Sequence, residues 1–92
     1  MSTRRIRVII SGKVQGVFFR VSLRDRARDL GISGWARNTS DGDVEALMEG
    51  DPMRLDEIIS WCWRGPPGAT VDNVSQREES AGPNQSSFEI ID

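Results

Sequence analysis

The residues best equipped for chemistry lie in one run, Gly12-Lys13-Val14-Gln15-Gly16-Val17-Phe18-Phe19-Arg20. Its two glycines let the backbone fold tightly, so that successive N–H groups can point into one concavity, a nest for an anion. If a helix starts inside the run, the unpaired N–H groups of its first turn and its dipole add to the same field. Arg20 then falls in that first turn, where a cation opposes the dipole unless a bound anion sits between them. A guanidinium fork holds two phosphoryl oxygens at once, which an ammonium cannot do. The run points to a phosphate-sized anion. A nucleotide P-loop is disfavoured, because Val17-Phe18 follows Gly16 where a Walker A loop needs Lys and then Ser or Thr.

A second cluster is Gly34-Trp35-Ala36-Arg37-Asn38-Thr39-Ser40-Asp41-Gly42-Asp43-Val44. The amide of Asn38 carries donors and an acceptor and is suited to holding a water in a fixed direction, while the competing reading is a turn-capping Asn before Thr39-Ser40. Both roles can coexist. Asp41-Gly42-Asp43 is no calcium loop: counted from Asp41 as in an EF-hand, Ala46 and Pro52 stand where Gly and Glu are required.

What the chain lacks narrows the chemistry further. It has no His and no Tyr, so imidazole and phenol catalysis are excluded, as are His-based metal sites. Cys62 is the single cysteine, which forbids an intramolecular disulfide and fits a reducing compartment. A net charge of −2 offers no general attraction to nucleic acid or anionic lipid. Apolar runs such as Val8-Ile9-Ile10 fall far short of the roughly 20 residues that span a bilayer. Arg4, Arg5 and Arg7 are not followed by the apolar stretch of a secretory signal, so the expected compartment is the cytoplasm.

These clusters need elements to position them. Ile6, Val8 and Ile10 alternate with mostly polar neighbours, which predicts a strand over Arg5–Ser11 with one buried face. Phe19, Leu23, Ala27 and Leu30 recur at helical spacing up to a stop at Gly31. Ile32–Asn38 and Val44–Glu49 are expected to pair antiparallel about a turn at Thr39–Asp43. Asp51 as N-cap and Pro52 at the first position open a second helix to about Trp63, with Leu55, Ile58, Ile59 and Cys62 as its apolar stripe. Cys62 is expected to be core filler, and one of Trp61 and Trp63 to be partly exposed. Thr70–Glu79 is extended around Val71 and Val74, Ser80–Gln85 is turn-rich, and Phe88–Ile90 closes with a short strand. The expected fold is α+β: a ferredoxin-like split βαβ sandwich (βαββαβ) with two helices on one face of an antiparallel sheet, its other face open to solvent or association. Residues 1–92 are expected to form a single domain, one compact core being the limit at this length.

Two motifs, Gly12-x-Val14-Gln15-Gly16-Val17-x-Phe19-Arg20 and Gly34-Trp35-Ala36-x-Asn38-x-x-Asp41-Gly42-x-Val44, resemble the paired signatures of the acylphosphatases. The resemblance extends over nearly the whole chain. It implies a βαββαβ enzyme that cleaves the carboxyl–phosphate bond of acyl phosphates with neither metal nor covalent intermediate. Arg20 would match the family's phosphate-binding arginine and Asn38 the asparagine that positions the attacking water. The backbone from Gln15 through Gly16, Val17, Phe18 and Phe19 to Arg20 would match the phosphate cradle. One departure is the end Phe88-Glu89-Ile90-Ile91-Asp92, where many members close with Arg-Tyr; this bears on edge packing more than on catalysis.

The physics agrees with so sparse a site. A carboxylate leaves as an anion, its conjugate acid having a pKa of roughly 4, and needs no general acid. Phosphoryl transfer through a loose transition state asks for charge stabilisation and alignment. No side chain in either cluster is an obvious base, so the substrate's own phosphoryl oxygen is expected to take the water's proton. Phe18 and Phe19 are candidates to line an acyl pocket, although core packing explains Phe19 equally well. Arg24, Arg26 and Arg28, interleaved with Asp25 and Asp29, read as a solvated helix face. No cofactor, nucleic acid or membrane partner is expected; a monomer is, with phosphate or sulfate able to occupy the site. The rival functions are a binding module for RNA or a small anion on the same fold, and a detached acylphosphatase-like domain of a carbamoyl-transfer maturation protein. An RNP1-type aromatic pattern and a zinc-finger segment, which these would call for, are not in the sequence.

Overall fold

Alternating burial makes the first strand. In the computed structural model, which describes residues 3–80, 82 and 86–91, β1 (Arg4–Lys13) buries Ile6, Val8 and Ile10 on one face and turns Arg5, Arg7 and Ile9 to the other. It is followed by α1 (Phe19–Asp29), β2 (Ser33–Asn38), β3 (Val44–Gly50), α2 (Pro52–Arg64), β4 (Thr70–Glu79) and β5 (Phe88–Ile90). The expected turn at Ser80–Gln85 lies partly outside the described residues.

Both helices cover the face that carries Ile6, Val8, Ile10, Val44, Ala46 and Met48. Phe19, Leu23 and Ala27 of α1 and Leu55, Ile58, Trp61 and Cys62 of α2 form the facing layer. α2 starts as its sequence dictates: Met53 N donates to Asp51 Oδ1 at 2.8 Å, with Pro52 in the first turn. Trp61 falls on the buried stripe and Trp63, half exposed, falls off it.

The strand order is β4-β1-β3-β2-β5. The first four strands pair antiparallel, but β5 runs parallel to β2, with Gly34 opposite Phe88 and Ala36 opposite Ile90. The sheet is therefore mixed rather than wholly antiparallel. β4 takes the edge beside β1, and the chain must then cross to the far edge, where it arrives running with β2. The three-residue β5 covers the outer edge of β2 and buries Phe88 beneath α1. Arg28 fixes this arrangement, its Nε donating to Phe88 O at 3.1 Å and its Nη2 to Glu89 at 3.1 Å. Arg26 lies over the Trp61 ring at 5.1 Å. The basic face of α1 is thus partly engaged with neighbouring elements instead of being merely solvated.

Gly34 is required where β2 meets β3. Its φ is 141°, and a Cβ there would stand 1.8 Å from Leu47 O, so no other residue fits without moving the strand.

The sheet's open face is a charge network built by register. Glu45 accepts from Arg7 Nη1 at 2.6 Å and from Arg37 Nε at 2.8 Å, and Glu79 accepts from Arg7 Nε at 2.5 Å. Glu49, equally buried, accepts from Arg5 at 2.9 Å. Burial by itself raises the Glu45 carboxyl, but the guanidiniums of Arg7 and Arg37 outweigh it and hold the group below its ordinary value. Hydrogen bonding to Arg7 likewise lowers Glu79.

Candidate active site

The chain's path through the sheet brings the two sequence clusters together. β1 and β2 are both antiparallel to β3 and so run parallel to each other, with α1 as the crossover between them. The end of β1 leads into the glycine run and the end of β2 is Asn38, so both lie at one edge of the sheet, outside the carboxyl ends of two parallel-running strands.

The run after β1 forms a cradle. Gly16 has φ 75° and Phe18 has φ 62°, a left-handed conformation that lets the chain turn sharply into α1. Among the described residues, no backbone carbonyl accepts from the N–H groups of Gln15, Gly16, Val17, Phe18, Phe19 or Val21, and the first helical bond is Ser22 N to Phe18 O. Phe18 is the N-cap residue without a side-chain cap bond, and the first turn holds no acidic residue. A helix start left uncapped in this way offers its N–H groups to an external anion.

A pocket of about 240 Å3 opens at this point, lined by Val14, Gly16, Phe18, Phe19, Arg20, Val21 and Asn38. Arg20, in the first turn of α1, and Asn38, at the end of β2, thus meet in one cavity. The Asn38 Oδ1 is buried and, among the described residues, accepts no hydrogen bond. A buried carbonyl without a donor is costly and uncommon, and it is most readily explained by a ligand or water that the site is built to receive. The turn-capping role weighed for Asn38 falls to Thr39 instead: its Oγ1 accepts from Asp43 N at 3.1 Å and its N–H donates to Asp43 O at 2.9 Å.

The remaining sequence-predicted residues divide. Gln15 lies outside the pocket lining; its side-chain amide donates to Thr39 O at 2.9 Å and Asp43 O at 3.0 Å, tying the cradle to the hairpin behind Asn38. Val17 is half-buried against the core. Phe19 is committed to the core, its ring 5.4 Å from that of Trp61, while Phe18 stays 79% exposed at the pocket. Val14, inside the first motif but given no role there, and Val21, just beyond it, also line the cavity; a short apolar side chain carries no chemical signal of its own. Among the described residues no group of three His, Cys, Asp or Glu side chains is arranged to hold a metal, and no helix is long and apolar enough to cross a membrane. Cys62, fully buried, is pushed up to about 12 by desolvation and is kept a thiol. A wider cleft of about 550 Å3 along Ser22, Arg26, Trp61 and the Gly65–Ala69 segment contains neither cluster.

A ferredoxin-like sandwich with an uncapped helix start, and an arginine sharing a pocket with a buried amide oxygen, has the parts of an anion-binding enzyme domain. Comparison with known proteins makes this particular: residues 6–90 match the acylphosphatase family model, and the chain belongs to the acylphosphatase family. It is 52% identical over 88 residues to an acylphosphatase of Rubrobacter xylanophilus, covering 96% of this chain and 80% of that protein. It is 47% identical to one of Pelotomaculum thermopropionicum, covering 98% of both. Among solved structures, the acylphosphatase from Coxiella burnetii superposes with a TM-score of 0.92 at 42% identity, over 97% of this chain and 93% of that one. The Bacillus subtilis acylphosphatase gives 0.92 at 32% identity, over 96% and 98%. The fold recurs in full-length HypF, with a TM-score of 0.86 at 21% identity over 12% of that chain; this is a likeness of fold alone.

Proposed function

We propose that this chain hydrolyses acyl phosphates to a carboxylate and phosphate by direct attack of water, without a metal. The observation that carries the proposal is the buried, unpartnered Asn38 Oδ1 in one pocket with Arg20 and the uncapped start of α1. Arg20 and the cradle N–H groups hold the phosphoryl oxygens and spread the charge that develops on them. Asn38 Oδ1 accepts a hydrogen bond from the attacking water and aims its lone pair at phosphorus. The water oxygen bonds to phosphorus as the phosphorus–acyl oxygen bond breaks, and the electron pair leaves on the carboxylate. The water's proton passes to a phosphoryl oxygen. The leaving group is stable as an anion, which makes a general acid unnecessary in a chain without His.

The test is turnover of benzoyl phosphate in the presence of EDTA, with loss of the acyl phosphate followed spectrophotometrically. Activity is expected with the chelator present, with hydrolysis of an alkyl phosphate far slower because its leaving group is poor. Arg20→Ala should lower kcat/KM by at least about 10²-fold, and Arg20→Lys should restore only part of it, because Lys lacks the bidentate fork. No turnover of benzoyl phosphate, or full activity in Arg20→Ala, would overturn the reading. The same proposal includes a monomer working in the cytoplasm, with inorganic phosphate and sulfate as competitive occupants of the cradle.

A further inference from the structure

Phe18 is anomalous on two counts. It is the one non-glycine residue with positive φ among those described, in a backbone region that Gly, Asn and Asp tolerate and aromatic residues rarely enter. Its ring recovers nothing by burial, since the residue is 79% exposed. Asn at this position would suit the left-handed backbone. The chain instead spends this position on a phenyl ring in water. Strain of this kind at a pocket rim is grounds for inferring function.

The ring lines the same pocket as Arg20 and Asn38, next to Val21, which is itself 37% exposed. Three residues on from Phe18, Val21 sits on the adjoining turn of α1, so the two side chains form an exposed apolar lip on a cavity whose polar side chains are Arg20 and Asn38, the other apolar residues of its lining, Val14 and Phe19, being buried in the core. An acyl phosphate has two ends. On the reaction proposed above, Arg20 and the cradle take the phosphoryl end, and the acyl end must pass this lip. We propose that Phe18 with Val21 is the acyl-group subsite, selecting substrates whose acyl group is aromatic or extended and apolar over those of acetyl size. Such a group covers the exposed ring and gains stacking and burial that an acetyl group is too small to provide.

The proposal rests on the acyl-phosphate reading, and the experiment separates the two. kcat/KM is measured for benzoyl phosphate and for acetyl phosphate with wild type, Phe18→Asn and Phe18→Trp. Asn suits the left-handed backbone, so Phe18→Asn is expected to keep the fold, with a Tm at or above that of wild type. Its benzoyl-to-acetyl ratio of kcat/KM should fall about tenfold, chiefly through KM for benzoyl phosphate. Phe18→Trp should hold or raise the ratio. Damage to the cradle lowers both rates together, so an unchanged ratio in Phe18→Asn overturns the subsite while leaving the reaction intact. If wild type turns over neither substrate, the reaction itself is refuted and the subsite with it.

Discussion

Replacing Asn38 by Ala should separate catalysis from stability. The free chain carries the Oδ1 buried and without a donor, a state that costs about 1–3 kcal/mol. Removing the amide removes that cost and, because the residue is only partly buried, leaves little cavity behind. The Tm of Asn38→Ala is therefore expected at or above that of wild type; for a domain of this size each 1 kcal/mol moves it by about 4–8 °C. Turnover should move the other way. Losing the group that aims the water resembles losing one transition-state hydrogen bond, which lowers kcat by about 10²–10³-fold, or roughly 2.7–4 kcal/mol. KM should change little, since the phosphoryl contacts of Arg20 and the cradle remain. Asn38→Asp keeps an acceptor but sets a negative charge against the phosphoryl group, so it should raise KM as well as lower kcat. The measurements are a thermal melt followed by circular dichroism and the initial rate on benzoyl phosphate. A kcat within about threefold of wild type, less than 1 kcal/mol of barrier, would refute the water-positioning role. A lost rate accompanied by a lower Tm would show that Asn38 is structural.

Three further outcomes follow from the geometry. Gln15→Ala removes the two bonds to Thr39 O and Asp43 O and should lower kcat about tenfold with KM nearly unchanged, by loosening Asn38 against the cradle; a lower Tm with normal kcat would make Gln15 a structural clamp only. Glu45 and Glu79 have folded-state values below the ordinary 4.5 to which they return on unfolding, so the stability they contribute is complete above about pH 5 and is lost as pH falls through the folded values. Glu45→Gln should accordingly lower the unfolding free energy from urea titration at pH 7 by roughly 1–3 kcal/mol, its partners being partly exposed, and the gap to wild type should close as pH falls through the folded-state value of Glu45; a gap independent of pH would refute the linkage. Gly34→Ala, with its Cβ 1.8 Å from Leu47 O, should lose more than about 3 kcal/mol and fail to accumulate as folded protein, whereas Gly42→Ala, with nothing within 4 Å of its Cβ, should lose only about 1 kcal/mol to its positive φ.

Much of the fold was legible because its signals are local. The alternation of Ile6, Val8 and Ile10, the stripe of Phe19, Leu23 and Ala27, and Asp51-Pro52 each fix an element from a few neighbouring residues, and the structure follows them to within about two residues. Features that depend on a distant partner were not legible. The direction of β5 is set by which strand it meets, and three residues carry no mark of that. Arg26 and Arg28 read as solvated because their partners, Trp61 and the Phe88–Glu89 segment, lie far along the chain. The same limit applied at the site. The glycine run and Asn38 announced themselves by type and spacing, but the different fates of neighbours did not. Thr39, rather than Asn38, closes the turn because it lies just past the end of β2, where its Oγ1 reaches Asp43 N across the hairpin. Gln15 looks in sequence like part of the cradle, yet its side chain faces the hairpin.

The position of β3 explains why that amide is needed. β1 and β2 each pair with β3, so their ends are separated by two strand spacings, roughly 9.5 Å. The ladder across β3 ends where Ile10 and Asn38 both pair with Val44, and the cradle lies beyond Ile10, past the last of these pairings. The gap is also what the reaction requires: a phosphoryl group held at the helix start, with a water lined up beyond it, fills a distance of this order when each contact is about 3 Å. A shorter separation would leave no room for the water, and a direct Arg20–Asn38 contact would satisfy the Oδ1 that the reaction needs unsatisfied. Gln15 spans the opening behind the pocket, where its two amide protons reach two carbonyls of the hairpin without entering the cavity. The site's sparseness is thus a property of the topology: parallel strands flanking a third hold the two halves apart by a fixed amount, and one side chain keeps that amount from varying.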